Sequence, residues 1–200
     1  LDYVAVKAAQ FSFNRLRGAD PRLGVEMAST GEVACFGWNA EQALLTALQA
    51  VGFKVPKKNV LVTIGRLEDK IDLFPSIEKL FEKGFAFFAT ERTHEFLQCR
   101  GVPSALLHKI SEPRSPNIRE YLEQRRLDIV INIPTHAAGE EQTAVYLIRR
   151  LAIDHGIPLI TNVQLAKRVV EAVLQEGETP LPLIAWPDLL NAEKREHMVR

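Results

Sequence analysis

The sequence predicts an α/β fold built on an open, five-stranded, mainly parallel sheet with helices on both faces. Three observations lead there. Short continuous apolar runs recur at Val60–Ile64, Phe85–Ala89, Leu127–Ile133 and Ile157–Ile160, with a weaker one from Val102 to Leu107, as strands buried on both faces require. Helically spaced apolar stripes stand between them. Glycines at 84, 101 and 156 close the intervening segments. Regular alternation of this kind gives right-handed crossovers and one doubly covered sheet.

Taken in order, Tyr3–Phe13 alternates weakly and reads as an extended edge, and Val33–Gly37 reads as a short strand. Leu44, Leu45, Leu48 and Val51 share a helical face, with Asn39 as N-cap and Gly52 as stop. The basic, Pro-broken stretch Lys54-Val55-Pro56-Lys57-Lys58 is expected to mark a domain boundary. After the first buried strand, Ile71, Phe74, Ile77, Leu80 and Phe81 stripe a helix. Residues 92–100 form the next helix, and Ile118, Tyr121 and Leu122 a short one with Pro116 in its first turn. Val145, Ile148, Leu151 and Ala152 stripe the following helix, and Leu165, Val169 and Val173 the last. The expected organisation is 1–57, 58–176, and a Pro-rich then charged tail over 177–200 in which Trp186-Pro187 packs back.

Composition excludes several classes. The chain is 46% apolar and 25% charged, with zero formal net charge, so nothing calls for nucleic acid or an anionic membrane surface. No apolar run approaches a membrane span. Cys35 and Cys99 lack metal or redox spacing and read as small, partly buried hydrophobes in a reducing, cytoplasmic setting. His94, His136, His155 and His197 read as scattered surface residues, and no metal is expected. Trp38 and Trp186 read as packing anchors.

Open parallel sheets bind ligands beyond the carboxyl ends of their strands, where the strand order reverses. In this chain those ends are polar. One strand runs into Thr90-Glu91-Arg92-Thr93 at a helix start, where unpaired N–H groups and the helix dipole favour an anion. Others end at His108-Lys109 and at Asn132-Ile133-Pro134-Thr135, and a helix opens with Glu68-Asp69-Lys70. Hydroxyl, amide and ammonium groups on several strand ends describe a pocket for a small phosphorylated or carboxylated ligand. The bland alternative for each is a capping or solvated loop residue.

The sixteen residues from Gly18 to Val33 (GADPRLGVEMASTGEV) resemble the end of the second ATP-binding half of the carbamoyl phosphate synthetase large chain. Residues 58–176 resemble that family's regulatory domain, which shares its fold with methylglyoxal synthase. The resemblance implies a chain whose first 57 residues are a remnant of an ATP-grasp domain with its connecting helix; the start at Leu1, as if mid-strand and without Met, reads as a dissected fragment. It implies an effector site at Thr63, Lys70, Thr90, Thr93, Lys109, Asn132 and Thr135, with lysines near phosphate and threonines donating to it. Uridine or inosine monophosphate is the expected effector. Relatives activated by N-acetylglutamate carry tryptophan at the position of Lys109, yet the Asn132-Ile133-Pro134 turn resembles the acetylglutamate type, so both effectors stay open.

The resemblance further implies ATP with Mg²⁺ or Mn²⁺ in the parent ligase, no cofactor here, and as partners the rest of the large chain and its glutaminase subunit. Glu26 and Glu32 are candidates only for structural hydrogen bonds. No catalytic residue is expected: where methylglyoxal synthase carries its catalytic Asp, Arg114-Ser115-Pro116-Asn117-Ile118 has a serine, which cannot serve as general base. A docking or oligomerisation domain with a degenerate pocket is the rival reading. Arg149-Arg150 either approaches the pocket or decorates its helix, with decoration preferred, and 53–58 and Thr161-Asn162 are expected to face the catalytic half.

Overall fold

A computed structural model describes residues 3–21, 27–135 and 140–176, with Pro187. Two strands, β1 (Val4–Gln10) and β2 (Gly31–Gly37), form an antiparallel ribbon. Helix α1 (Ala40–Ala50) follows, its Asn39 side chain accepting from Gln42 N at 2.7 Å as an N-cap should. Then come β3 (Asn59–Ile64), α2 (Leu67–Glu82), β4 (Ala86–Ala89), α3 (Glu91–Gln98), β5 (Ser104–Leu106), α4 (Ile118–Glu123), β6 (Ile129–Ile133), α5 (Glu140–Asp154), β7 (Leu159–Ile160) and α6 (Val163–Glu176). The five later strands pair in parallel, in the order β5-β4-β3-β6-β7. The chain steps outward from β3 to β5 and then returns to the other side of β3, so the order reverses between β3 and β6.

The period-2 pleat divides each central strand between two cores. Val60, Val62 and Ile64 of β3 and Ile129, Ile131 and Ile133 of β6 pack with α2, α3 and α6 on one face. Leu61 and Val130 pack with α4 and α5 on the other. Thr63 and Asn132 share the parity of Leu61 and Val130 and stand opposite one another in the β3–β6 register. They therefore face the α4/α5 side at the carboxyl edge of the sheet.

Several expectations shift in detail. Helix α2 buries Lys70, Leu73, Ser76, Ile77 and Leu80, whereas Ile71 and Phe81 are exposed. The buried stripe is rotated because α2 packs against both the sheet and α6. Leu165 is likewise exposed, and Val163, Ala166, Val169, Val170 and Val173 make the inner face of α6. Pro116 precedes the N-cap of α4 instead of lying in its first turn; Asn117 and Glu120 close a capping box there. The 54–58 connector separates no two cores: Leu45 of α1 belongs to the α2/α6 core, and Phe53 and Val55 pack against it. Asn162 caps α6, its side chain accepting from Leu165 N at 2.9 Å. Cys35 is half-buried as expected, whereas Cys99 is exposed and not the partly buried hydrophobe expected; Trp38 is about half exposed. His94 is half-buried, with Nδ1 2.8 Å from Ser104 Oγ. Arg22–Glu26, His136–Gly139 and the tail, including Trp186 and His197, lie outside the described residues. Among the described residues no helix is long and apolar enough to cross a membrane.

Candidate functional site

At the carboxyl edge, beyond the β3/β6 reversal, lies a cavity of about 250 Å³. That is near the small end of the range for small-molecule sites, roughly 300–1,000 Å³. Its polar rim is Thr63, Thr90, Glu91, Arg92, Thr93, Lys109, Asn132 and Thr135. Its apolar wall is Ile64, Ile110 and Ile118 on one side and Ala144, Val145 and Ile148 of α5 on the other. Six of the seven residues expected from sequence thus meet in one place.

Each arrives by a local cause. Asn132 is 2% exposed, and its Nδ2 donates to Thr63 Oγ1 at 2.6 Å, the pair being register neighbours in adjacent strands. Among the described residues nothing hydrogen-bonds to Asn132 Oδ1, a buried acceptor left unsatisfied. Thr90 sits at the N-cap position of α3 in extended conformation but makes no side-chain capping bond, so its hydroxyl is not consumed by the helix. The first-turn N–H groups of α3 lie beside it.

Thr93 has a different fate. It is 1% exposed, and its hydroxyl donates to Ile64 O at 3.2 Å while accepting from Ile64 N at 3.3 Å. It ties α3 to the end of β3. Lys109, just past β5, is exposed, and no acidic side chain among the described residues pairs with it. The charged side chains on the rim are thus Lys109 and Arg92 against Glu91.

Lys70 does not join this group. Helix α2 lies on the opposite face of the sheet, where Lys70 is buried, Nζ donating to Arg92 O at 3.0 Å and standing 5.9 Å from the centre of the Phe96 ring. Burial pushes its pKa down, and the neighbouring Arg92 charge adds to that, with Glu95 opposing. The 3.6-residue period that brings Lys70 next to Leu73 and Ile77 also turns it from the cavity.

Gly65 was not singled out by sequence. A Cβ there would meet Thr135 N at 2.6 Å and Thr135 Cγ2 at 2.7 Å, and Gly65 N donates to Ile133 O at 2.9 Å. Only a residue without a side chain lets the β3 and β6 ends close this tightly over the cavity floor. Its only sequence signal is its place directly after an apolar strand. Ser115 donates to Glu120 Oε2 at 2.9 Å, and neither residue lines the cavity. Glu32 pairs with Lys7 at 2.6 Å. Among the described residues no three His, Cys, Asp or Glu side chains gather as a metal site.

The model of the MGS-like domain family matches residues 72–161, the span from α2 to the end of β7. Over 92% of its length the chain is 45% identical to "Multifunctional protein ura1" of Schizosaccharomyces pombe, covering 8% of that protein. It is 40% identical to "Multifunctional protein CAD" of Squalus acanthias over 96% of this chain and 9% of that one. It is 43% identical to human "Carbamoyl-phosphate synthase [ammonia], mitochondrial" over 86% of this chain and 12% of that one. Residues 72–161 thus match an MGS-like domain, and the chain as a whole is similar to a part of multifunctional and carbamoyl-phosphate synthase proteins, consistent with the C-terminal region of the carbamoyl phosphate synthetase large chain. It spans about a tenth of the length of these relatives. The solved structure of ForH superposes with a TM-score of 0.42 at 16% identity, covering 68% of this chain and 90% of that one. Within the MGS-like domain, Thr90, Lys109 and Asn132 fall inside the matched span, and Thr63–Gly65 just ahead of it.

Proposed function

We propose that the cavity is an allosteric effector site: it holds a small anion without transforming it, and through it regulates a carbamoyl phosphate synthetase large chain. The observation that carries this reading is that one cavity gathers Asn132, whose buried Oδ1 has no hydrogen-bond partner among the described residues, Thr90, whose hydroxyl makes no capping bond, and Lys109, which pairs with no acidic side chain among the described residues. A buried acceptor left unpaired costs free energy unless a ligand or water donates to it. The rim offers complementary chemistry. Thr90, the α3 N-terminus and Lys109 suit phosphate oxygens. Asn132 Oδ1 suits an O–H or N–H elsewhere on the same molecule. A nucleoside monophosphate carries both kinds of group, which favours uridine or inosine monophosphate over N-acetylglutamate. An ammonium at 109 also suits a phosphate dianion better than an acetylated dicarboxylate.

An effector that binds two states of the whole enzyme unequally shifts their populations. In this reading the partners are the rest of the large chain and its glutaminase subunit. The parent's ATP and Mg²⁺ or Mn²⁺ belong to that catalytic part. The relatives named ura1, URA2 and CAD favour pyrimidine synthesis as the parent's pathway.

Calorimetric titration of the 200-residue protein with uridine monophosphate, inosine monophosphate and N-acetylglutamate tests the reading. Lys109→Ala should weaken monophosphate binding about 10- to 100-fold, the scale of one charge-assisted hydrogen bond, with little change in stability. No heat with any of the three ligands, or unchanged affinity in the variant, defeats the site assignment.

A further inference from the structure

Helix α5 serves two surfaces at once. Its Ala144, Val145 and Ile148 wall the cavity. The residues beside them hold the segment between β1 and the described end of the first stretch at Pro21. Tyr146 Oη donates to Gly18 O at 2.8 Å. Arg149 makes a bidentate pair with Asp20, Nε to Oδ1 at 2.9 Å and Nη2 to Oδ2 at 2.7 Å. Arg150 donates to Phe13 O at 3.0 Å, Leu16 O at 3.2 Å and Ala19 O at 3.0 Å, and is held from behind by Asp154. Both guanidinium groups are buried, at 5% residue exposure. They neither decorate the helix nor reach the cavity.

Among the described residues, the segment they grip is mostly exposed. Asn14–Gly18 is exposed throughout, Leu16 at 54%, and only Pro21 of residues 11–21 is fully buried. Its docking therefore depends on directional, charge-assisted bonds from one helix edge, which form or break together. Ile148 and Arg149 are chain neighbours, as are Val145 and Tyr146. A rigid helix cannot tilt its cavity wall without moving the donors.

We propose that Tyr146, Arg149 and Arg150 form a latch that couples occupancy of the cavity to docking of the 13–20 segment. The coupling rests on the effector reading above. A ligand that packs against Val145 and Ile148 steadies α5 in the position where the latch closes. By reciprocity, loss of the latch weakens the ligand by the factor with which the ligand favours docking. Gly18-Ala19-Asp20 opens the stretch that resembles the ATP-binding half. The latch is thus the route by which the sensor reaches it.

The test uses hydrogen exchange of peptides spanning 13–20, with and without saturating uridine monophosphate, and calorimetry on Asp20→Asn and Tyr146→Phe. Neither residue lines the cavity. Ligand should slow exchange of 13–20 at least about fivefold, the low end of typical coupling, and Asp20→Asn should weaken binding by a similar factor. Tyr146→Phe, which removes one bond and leaves the ring, should do so less. Ligand binding to all three proteins alike with unchanged exchange at 13–20 overturns the latch and leaves the effector site standing. Failure of the wild-type protein to bind uridine monophosphate, inosine monophosphate or inorganic phosphate removes both. Exchange in the wild-type protein decides the matter even if a variant folds poorly.

Discussion

The two faces of the sheet treat a buried polar residue in opposite ways at the same edge. On the α2/α6 face, Lys70 is enclosed, its ammonium bonded to the Arg92 carbonyl. On the α4/α5 face, Asn132 lines the cavity and is as deeply buried, yet its enclosed Oδ1 has no hydrogen-bond partner among the described residues. A satisfied buried cation is part of a core. In the effector reading, an unsatisfied buried amide beside a cavity is where a ligand or water completes the hydrogen bonding. The threonines divide likewise: Thr93 is bonded twice to Ile64, and Thr90 is left out of its own helix cap. Residue type alone does not mark a site; the difference lies in which polar atoms the fold has already used.

The hardest way to break this contrast is at Gly65. Gly65→Val drives a side chain into the Thr135 backbone, and should abolish uridine monophosphate binding in calorimetry while lowering stability by about 1–3 kcal/mol in urea. Next come the threonines, which should separate stability from affinity. Thr93→Val strips a hydroxyl from buried backbone groups and should lose about 1–3 kcal/mol of stability in the same denaturation. Thr90→Val should leave the melting curve in place and weaken the ligand about 3- to 10-fold, as befits one lost hydrogen bond.

A smaller effect is expected at Glu91, whose carboxylate lines the rim at the first residue of α3 and opposes an arriving anion. Glu91→Gln should raise affinity about 2- to 3-fold at low salt, and the gain should fade as ionic strength rises. Smallest is Lys70→Met, which should leave affinity unchanged, since α2 stands behind the wall. This variant also sharpens the closed side of the comparison. The pKa of Lys70 is lowered by burial, so between that lowered value and the ordinary lysine value the unfolded chain binds more protons than the folded one. Stability contributed by this residue therefore rises with pH across that window, as the buried ammonium gives up its proton. Paired urea titrations at about pH 8 and about pH 10, wild type against Lys70→Met, should show a stability gain at the higher pH that is greater in the wild type.

The candidate site was partly legible because strand ends and helix starts are local features. Thr90-Glu91-Arg92-Thr93 sits between an apolar run and a helical stripe, and Asn132 ends another run, so the carboxyl-edge rule gathered them. Gly65 was not legible: its role depends on Thr135, seventy residues away along the chain but just past the end of the neighbouring strand. Arg149 and Arg150 were not legible either, because their partners at 13–20 are about 130 residues distant. The proline and lysines of the 54–58 connector describe a local break and carry no information about whether the helix before it shares a core with the sheet after it.

By itself, the sequence determined which segments are strands and helices, that the sheet is parallel and doubly covered, and that polar groups line its carboxyl edge. Those properties follow from apolar period, chain punctuation and the handedness of crossovers, all written within a few dozen residues. Only the tertiary structure decided which face each helix covers, and with it that Lys70 is shut into a core, Asn132 opens onto a cavity and α5 grips the 13–20 segment. Side-chain parity and helix placement decide these matters, and the face of the sheet that a helix covers, invisible in a stripe of apolar residues, sets whether its ammonium reaches a pocket or lies on the far side.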